Sequence, residues 1–423
     1  MSRRLRQLAD IARWRLCVGC GVCTYICPED NVRLCDVVGE GIRPIVLDTH
    51  KCGTCTECLQ ACPAYELDHR ELSRRPGLIS ELTDLCGPVL EIWEGHASDP
   101  ELRFSGASGG LLTALALFCL EQRGMHGVLH IGPDEAAPLR NRTFLSRTRA
   151  DLLARAGSRY APASACDRLR WIEEAPAPCV FIGQPGEVAG LRKAQQRRPL
   201  LQHRIGLVLS FFCAGSPATL GTLELLRQRG VDPESVRQLR YRGHGWPGLF
   251  SALLQNQTAP ACEMTYEESW AFLQKYRPYS AHLWPDGSGE AADISCGDAW
   301  HTKPQPGQPG NSLLLVRTEL GRDMVRQAVR QGYLTLNASQ PSPVLEAQRG
   351  LFHKRQTLWG RRAAFRLCGL PLTHLPGFPL FALWLKLPWG ERLRSICGTL
   401  RRIVQRHYYR PLGGESPSPK PHL

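Results

Sequence analysis

Eight cysteines near the start of the chain repeat one pattern. Each copy reads C-x2-C-x2-C-x3-C-P, and the repeated cysteines are Cys17, Cys20, Cys23, Cys27, Cys52, Cys55, Cys58 and Cys62. Three thiolates spaced by three residues on a tight loop wrap one face of an iron-sulfur cube, while the fourth cysteine points away. The spacing therefore predicts two [4Fe-4S] clusters in a protein that transfers electrons.

The two predicted ligand sets exchange one cysteine between the motifs, because in such pairs the fourth cysteine ligates the other cluster. One set is Cys17, Cys20, Cys23 and Cys62, and the other is Cys52, Cys55, Cys58 and Cys27. Zinc knuckles and a disulfide framework are the alternatives. Zinc sites, however, use two C-x2-C pairs rather than two sets of four at identical spacing, and the remaining ten of the 18 cysteines are scattered.

Composition indicates a globular protein with a basic end. A chain of 423 residues, 43% of them hydrophobic, suggests two or three domains. The net charge is +13, but residues 351–423 hold 13 Lys and Arg against two acidic residues. Charge concentrated in a tail argues against a nucleic-acid-binding surface. Scattered cysteines and the lack of a signal-peptide pattern favour the cytoplasm, with the inner membrane face as a second location through the tail.

The pattern of apolar segments predicts an α/β (α+β) body, because short strand-like runs alternate with Gly/Pro turns and helical stretches. The expected strands lie at 89–95, 127–131, 179–183, 205–212, 293–298 and 312–317. The expected units are a ferredoxin-type module with two clusters (14–68), a body in two parts (88–175 and 176–335), a basic amphipathic tail (340–412) and a disordered end (413–423).

A Gly-rich turn before a predicted helix is the candidate cofactor site. Ser108, Gly109 and Gly110 precede the helix, and Thr113 lies in its first turn. Backbone amides and the helix dipole attract phosphate at such a turn, although a purely structural turn has the same sequence. Clusters pass single electrons, so an enzyme acting on an organic substrate needs a two-electron converter, for which we predict FAD.

Five further residues are candidates for chemistry around a flavin. Arg159 and Tyr160 are expected to hold phosphate and stack on a ring, with an ordinary turn as the alternative. His244, Asp298 and His301 are candidates for acid-base work, because hydride transfer to an unsaturated carbon needs a neighbouring proton donor. A solvated loop is the alternative for His244.

The C-terminal segment predicts a basic amphipathic helix. From Glu391 to Tyr409, apolar residues recur at helical spacing and arginines lie off that stripe. The preceding segment 367–389 is rich in Leu, Phe and Trp, but its prolines and Lys386 argue against a membrane-spanning helix. The helix suits either an anionic membrane surface or the protein's own body.

Seven motifs occur in a specific order, at 108–113, 157–160, 181–185, 206–213, 241–243, 292–298 and 316–321. Together they resemble the coenzyme F420 hydrogenase/dehydrogenase beta-subunit family, and most closely a bacterial branch often found beside polysaccharide-synthesis enzymes. The resemblance implies an iron-sulfur FAD oxidoreductase that acts on an organic substrate or an F420-like cofactor. Its implied redox partner is ferredoxin or a protein dependent on reduced F420 or NAD(P)H.

The chain departs from the family at a further implied cluster site. The resemblance implies cysteines where this chain has Gly186, Ala281 and Trp284, and these would join Cys213 in a four-thiolate site. One thiolate cannot hold a cube, so we predict that this third [4Fe-4S] cluster is absent.

Three alternatives stay open. An altered third site would recruit Cys296 and His282. The whole chain would otherwise be an electron-transfer subunit without a substrate site, or a degenerate scaffold protein of a polysaccharide pathway. Flavin content and turnover without a partner distinguish the electron-transfer subunit from the enzyme.

Overall fold

The computed structural model describes residues 5–304 and 308–413. Its N-terminal part carries the two cysteine motifs on loops and short helices around one β-hairpin. The elements before the main sheet are α1 (Leu8–Arg13), α2 (Val22–Ile26), β1 (Val32–Val37), β2 (Gly41–Val46), α3 (Glu57–Gln60) and α4 (Ser80–Cys86). The antiparallel pairing of β1 with β2 places the two cysteine motifs on either side of the hairpin.

The body follows as an alternation of strands and helices, as the apolar pattern predicts. Its first half contains β3 (Glu91–Ala97), α5 (Pro100–Ser105), α6 (Leu111–Gln122), β4 (Val128–Pro133), β5 (Asn141–Ser146), α7 (Arg149–Ala154), α8 (Arg170–Glu173), β6 (Cys179–Gly183), α9 (Pro185–Gln195), α10 (Pro199–Arg204) and β7 (Ile205–Phe211). Its second half contains α11 (Thr219–Gln228), β8 (Val236–Arg240), β9 (Leu249–Leu254), β10 (Cys262–Thr265), α12 (Tyr266–Leu273), α13 (Tyr279–Leu283), β11 (Ile294–Asp298), β12 (Ser312–Val316), α14 (Glu319–Arg330) and β13 (Leu334–Ala338).

An eight-stranded mixed sheet organises the body, in the order β13-β3-β12-β11-β7-β6-β4-β5. The four strands β11, β7, β6 and β4 are mutually parallel, and the outer pairs are antiparallel. Leu207, Val208 and Leu209 of β7 are fully buried, as expected for a central parallel strand covered on both faces. The carboxyl ends of parallel strands share one sheet edge, where α/β proteins commonly bind ligands. A separate three-stranded antiparallel sheet, β10-β9-β8, lies beside the body.

Helices cover the two faces of the large sheet. On one face α6 and α14 pack together, with Phe118 and Val325 in the same apolar cluster. On the other face α9 contributes Val188 and Leu191 to a cluster that also contains Val22 of the cysteine module. The module is therefore packed directly on the body rather than held by a linker alone.

The C-terminal segment folds back on the cysteine module. Its helices are α15 (Pro341–Ala347), α16 (Arg349–Gln356), α17 (Leu358–Leu367), α18 (Leu380–Leu385) and α19 (Trp389–Gln405). Phe365 of α17 and Ile403 of α19 share one apolar cluster with Leu59, Cys17 and Cys62. The stretch before α18 also pairs with the chain that follows the second motif, through Leu67 N and His374 O at 2.9 Å. The apolar stripe of α19 is thus used, at least in part, within the protein.

These findings confirm the predicted α/β body and its strands. The unit boundaries 14–68, 88–175, 176–335 and 340–412 remain our proposal. Apart from Gly413, the end predicted to be disordered (413–423) lies outside the described residues. Within the described part, no helix combines the length and the apolarity needed to cross a bilayer.

Candidate functional site

Four cysteines from both motifs lie close together below the surface. Cys17, Cys20, Cys23 and Cys62 are all buried. Burial raises the pKa of the Cys62 thiol to about 12, and Cys17 is the next contributor. Burial and then Cys62 raise the pKa of Cys20. The structure therefore brings Cys62 of the second motif to the first three cysteines, which we call the buried thiol set.

The other four cysteines form a second group nearer to the surface. Burial raises the pKa of Cys58 to about 11, followed by the charges of Cys27, Cys55 and Cys52. Cys55 is exposed, and the other three are half-buried. Asn31 contacts two of these sulfurs, with its backbone N 3.4 Å from Cys27 Sγ and its side-chain Nδ2 3.6 Å from Cys52 Sγ. We call this group the exposed thiol set.

The donor arrangement fits two four-iron clusters. A cubane cluster binds each thiolate through a different iron, so its cysteines form a wider ring than the ligands of a single ion. Among the described residues, no three His, Cys, Asp or Glu side chains converge tightly enough for one metal ion. Gly19 has a φ of +76° and donates its N–H to Cys17 Sγ at 3.4 Å. Such amide donors tune cluster potentials. Cluster ligation by these residues remains a prediction.

The buried thiol set lies against helix α9 of the body. A Cβ on Gly190 would lie 3.1 Å from Cys20 Sγ, so glycine permits this approach. Ser164 Oγ donates to Gly19 O at 2.5 Å, and Glu187 Oε1 of α9 accepts from Ala165 N at 2.8 Å. Burial raises the pKa of Glu187 to about 7. These hydrogen bonds connect the first cysteine loop to the segment around residue 164, and that segment to α9. The buried thiol set therefore faces the body.

The predicted phosphate turn lies at the edge of the large sheet beside β12. Ser108 Oγ donates to Asn311 O at 2.8 Å, and Gly109 N donates to Ser312 Oγ at 2.8 Å. Gly110 has a φ of +76° and caps α6, and Thr113 lies in the first turn of that helix. Ser108 Oγ and Gly109 N are thus used to hold the turn on β12. The N-terminus of α6 still carries the partial positive charge of the helix dipole, which favours an anion.

A buried arginine connects this turn to Asp298 at the end of β11. Arg242 donates to Ala107 O at 2.5 Å and forms a bidentate ion pair with Asp298, at 2.7 and 3.0 Å. The Nε1 of Trp246 donates to the same carboxylate at 3.1 Å. Asp298 therefore accepts three hydrogen bonds. This arrangement suits orienting Arg242, and the predicted acid-base role of Asp298 stays a prediction.

Aromatic rings surround the Arg242 guanidinium. Its centre lies 4.5 Å from the Tyr266 ring and 5.2 Å from the Trp300 ring. Burial alone would lower the pKa of Arg242, but Asp298 and Tyr160 outweigh it and raise the value. The guanidinium is therefore a permanent positive charge in a low-dielectric aromatic setting. Sequence reasoning missed this residue, although its motif at 241–243 belongs to the seven that carry the resemblance.

The Arg159 guanidinium is hydrogen-bonded within the protein. Its guanidinium donates to Asn141 Oδ1 at 2.8 Å and to the backbone oxygens of Leu239, Pro138 and Arg140 at 2.6, 2.8 and 3.2 Å. These acceptors occupy the donors that a phosphate would need, so Arg159 ties the turn to the three-stranded sheet. These contacts favour the ordinary turn, and phosphate binding by Arg159 stays a prediction.

Tyr160 and the two candidate histidines differ in their surroundings. Tyr160 packs against Trp270, with ring centroids 5.0 Å apart, and its OH lies 3.4 Å from Arg242. His244 is exposed and accepts a hydrogen bond from Arg240 at 2.8 Å; the partial burial of its ring, and then the charge of Arg240, lower its pKa. His301 pairs with Glu94 at 3.2 Å. The structure brings Tyr160 and Asp298 to Arg242, and it places His244 on the outer side of the same loop.

The four positions of the implied third cluster line one cavity. Gly186, Cys213, Ala281 and Trp284 all face it, although they come from three separate parts of the chain. Within the described residues only Cys213 brings a thiol to this cavity, and Trp284 places an indole there. These residues do not fit a four-iron cluster, and its absence remains our prediction. Cys296 and His282 do not line the cavity, so the altered site is not favoured.

Comparisons with known proteins place the chain among redox proteins. Residues 92–170 match the N-terminal model of the coenzyme F420 hydrogenase/dehydrogenase beta subunit, and residues 178–342 match the model of its C terminus. An uncharacterized protein of Methanocaldococcus jannaschii is 22% identical over 366 residues, which cover 80% of this chain and 94% of the relative.

Two further relatives agree with this assignment. The coenzyme F420-dependent sulfite reductase of M. jannaschii is 24% identical over 335 residues, which cover 75% of this chain and 47% of that enzyme. The chain therefore spans about half the length of the reductase. A chain in the F420-reducing [NiFe] hydrogenase complex from Methanosarcina barkeri has the same fold, with a TM-score of 0.51, 18% identity, and coverage of 67% of this chain and 94% of that chain. The protein thus belongs to the coenzyme F420 hydrogenase/dehydrogenase beta-subunit family, whose members bind iron-sulfur clusters and take part in electron transfer.

Proposed function

We propose that this protein is an iron-sulfur flavoprotein oxidoreductase with two [4Fe-4S] clusters and one FAD. The carrying observation is the exchange of cysteines between the motifs, because Cys62 lies with the first three cysteines and Cys27 lies with the other three. This exchange is what two adjacent cubane clusters require. The relatives' redox names support the same class of chemistry.

The exposure of the two thiol sets gives the proposed electron route a direction in space. Cys55 is open to solvent, so a partner protein approaches the cluster of the exposed thiol set. The buried thiol set lies between that cluster and α9. Burial raises the pKa of Cys23 in the buried thiol set, and Cys58 of the exposed thiol set is among the further contributors, so the two sets are neighbours. Electrons therefore pass between the partner and the body through both clusters in series. Ferredoxin or a protein dependent on reduced F420 or NAD(P)H is the proposed partner.

The proposed flavin site is the carboxyl edge of the parallel strands, around the Ser108 turn. A bound FAD would exchange electron pairs with an organic substrate or an F420-like cofactor and single electrons with the clusters. In this chain Ser108, Gly109, Gly110 and the start of α6 would hold its phosphates. Arg242, oriented by Asp298, would supply positive charge near them, because its guanidinium already contacts Ala107 O.

His244 is the remaining proton-transfer candidate of this site. Its exposed ring stacks on Phe104, with centroids 5.5 Å apart, and its lowered pKa favours the neutral form. A neutral imidazole accepts protons and exchanges them with water. We propose that it connects the site to solvent rather than touching the flavin.

The rival function is an electron-transfer subunit that serves a partner enzyme. It is favoured by the structural neighbour, which is one chain of a hydrogenase complex, and by the use of Arg159 for structural hydrogen bonds. In that case the clusters would be present and substrate turnover would require the partner. A scaffold protein of a polysaccharide pathway would need neither cluster.

Cysteine substitutions test the proposed ligand sets. We expect Cys27→Ser and Cys55→Ser to abolish the same electron paramagnetic resonance signal, because both belong to the exposed thiol set. Cys62→Ser should instead remove the second signal, despite its position in the same motif as Cys55. Cys368→Ser is the matched control, since this exposed cysteine belongs to neither set. If Cys27→Ser and Cys20→Ser remove the same signal, the exchange is wrong.

A further inference from the structure

The cavity lined by the four positions of the implied third cluster lies directly beside the buried thiol set. Val18 and Gly19, between two cysteines of that set, form part of its wall, and Gln184 and Cys213 at the ends of β6 and β7 form another part. The cavity is thus bounded both by the module and by the carboxyl edge of the parallel strands, where α/β proteins bind ligands. Arg43 and Lys354 also line it.

Two buried side chains in the cavity wall have N–H donors that lack acceptors. Arg43 is 4% exposed, and its Nε has no hydrogen-bond acceptor within the described part of the chain, while its Nη2 has only Glu40 Oε2, at an ion-pair distance of 3.7 Å. Its Nη1 donates to Ile42 O at 2.9 Å. The indole Nε1 of Trp284, which is 8% exposed, is likewise without an acceptor there. A buried donor without an acceptor costs about 1–3 kcal/mol, so these donors point to a ligand.

Lys354 adds a buried positive charge to the same wall. This residue of α16 is 8% exposed, and its Nζ donates to Ala281 O at 3.2 Å. Among the described residues no carboxylate forms an ion pair with it. Burial, followed by the charge of Arg277, lowers the pKa of Lys354 to about 8. A buried ammonium with only a carbonyl partner is costly unless an anion joins it.

The acidic residues in the wall are already occupied. Glu40 accepts from Arg15 Nε at 3.2 Å and lies 3.7 Å from Arg43 Nη2. Asp286 is buried and accepts three backbone N–H groups, from Ser288, Gly289 and Glu290. Asp286 is still among the charges that raise the pKa of Lys354, so its carboxylate lies close enough to interact with the ammonium. The donors in the wall that still lack an acceptor are therefore Arg43 Nε and Trp284 Nε1, and Lys354 adds an ammonium without an ion-pair partner among the described residues.

We propose that this cavity is an oxyanion-binding site, in which Lys354, Arg43 and Trp284 hold the phosphate or carboxylate group of a small molecule beside the buried thiol set. The side chains supply the Lys354 ammonium, a guanidinium that is shared with Glu40, and an uncharged N–H donor, which is the chemistry that recognises an oxyanion. The site is independent of the flavin proposal, because it uses none of the residues around the Ser108 turn.

Calorimetric titration of the anaerobically purified holoprotein tests the site with inorganic phosphate and with acetate, at constant ionic strength maintained with chloride. We expect saturable binding of at least one oxyanion. Phosphate as the tighter probe indicates a phosphorylated ligand, and acetate as the tighter probe indicates a carboxylic acid. Lys354→Met should weaken binding at least about tenfold, because it removes a charged hydrogen bond.

Two further variants make the test specific. Trp284→Phe keeps an aromatic ring and removes only the N–H, and it should weaken binding about tenfold. Lys386→Met is the control, since this lysine on the tail is exposed and pairs with Asp84 at 3.5 Å. Iron and flavin contents of each sample show separately whether the redox proposal holds. No saturable binding of either oxyanion, or equal binding by wild type, Lys354→Met and Trp284→Phe, overturns the site.

Discussion

A buried ionic cluster holds the C-terminal segment on the rest of the protein, and breaking it should release that segment. The Glu290 carboxylate pairs with Arg355 of α16 and with His69, which lies in the chain that follows the second cysteine motif. All three side chains are buried. Burial alone would raise the pKa of Glu290, but Arg355 and then His69 outweigh it and lower the pKa to about 2. The cluster thus joins the tail, the body and the segment that directly follows the module.

We predict that Arg355→Met lowers the free energy of unfolding by about 3 kcal/mol. Removing one partner of a buried ion pair costs about 3–5 kcal/mol, because the other charge is left uncompensated. The lower end applies here, since His69 still contacts the carboxylate. Because the folded-state pKa of Glu290 is depressed, its contribution in the wild type is present above about pH 4.5 and lost as the pH falls towards 2.

Urea unfolding of anaerobic samples, followed by circular dichroism, measures this change. The matched control is Arg349→Met on the same helix, whose exposed pair with Glu346 should contribute less than about 1 kcal/mol. Release of the tail also uncovers Cys17 and Cys62, so Arg355→Met should lose iron faster in air than the control does. Equal stability of the two variants would refute the role assigned to the buried cluster.

Three other predictions concern separate parts of the molecule. Burial lowers the pKa of His130 to about 4, so its contribution to stability is present above pH 6.5 and is lost as the pH falls towards 4. His130→Asn should therefore reduce the difference in unfolding free energy between pH 7 and pH 5 by about 2 kcal/mol, as measured by urea titrations. Gly190→Leu should lower the iron content towards half, with Gly190→Ala milder, because the new side chain meets Cys20 Sγ; unchanged iron would contradict the packing of α9 on the cluster loop. If the tail also binds membranes, replacing the exposed Trp389 by Ser should reduce sedimentation with vesicles of anionic lipid. The control Leu367→Ser, at another exposed apolar residue, should not. Equal sedimentation of the two variants would reject a role for the start of α19 in membrane binding.

The sequence was informative where local spacing decides the chemistry. The cysteine spacing predicted that Cys62 joins the first motif and Cys27 the second, because ligand geometry within one motif is fixed by a few residues. Alternating apolar runs likewise predicted the strands of the sheet, since buried central strands must be apolar on both faces. The candidate residues Ser108 and Asp298 lie at the same edge of the large sheet, where the parallel strands end.

Other features depended on contacts between distant segments. The backbone carbonyls that surround Arg159 come from two parts of the chain, so no local pattern could show that its guanidinium is already saturated. The amphipathic stripe of α19 fixed which face is apolar but not what covers it. The unpaired donors of Arg43 and Trp284 became visible only when the module and the body met at one cavity.

Iron, sulfide and flavin quantitation on one anaerobically purified sample tests the central claim most directly. The two-cluster flavoprotein predicts about eight irons, about eight sulfides and one FAD per chain. About twelve irons would show that the cavity around Cys213 holds a third cluster after all. About eight irons without FAD, even after reconstitution with the flavin, would contradict the enzyme and leave the electron-transfer subunit.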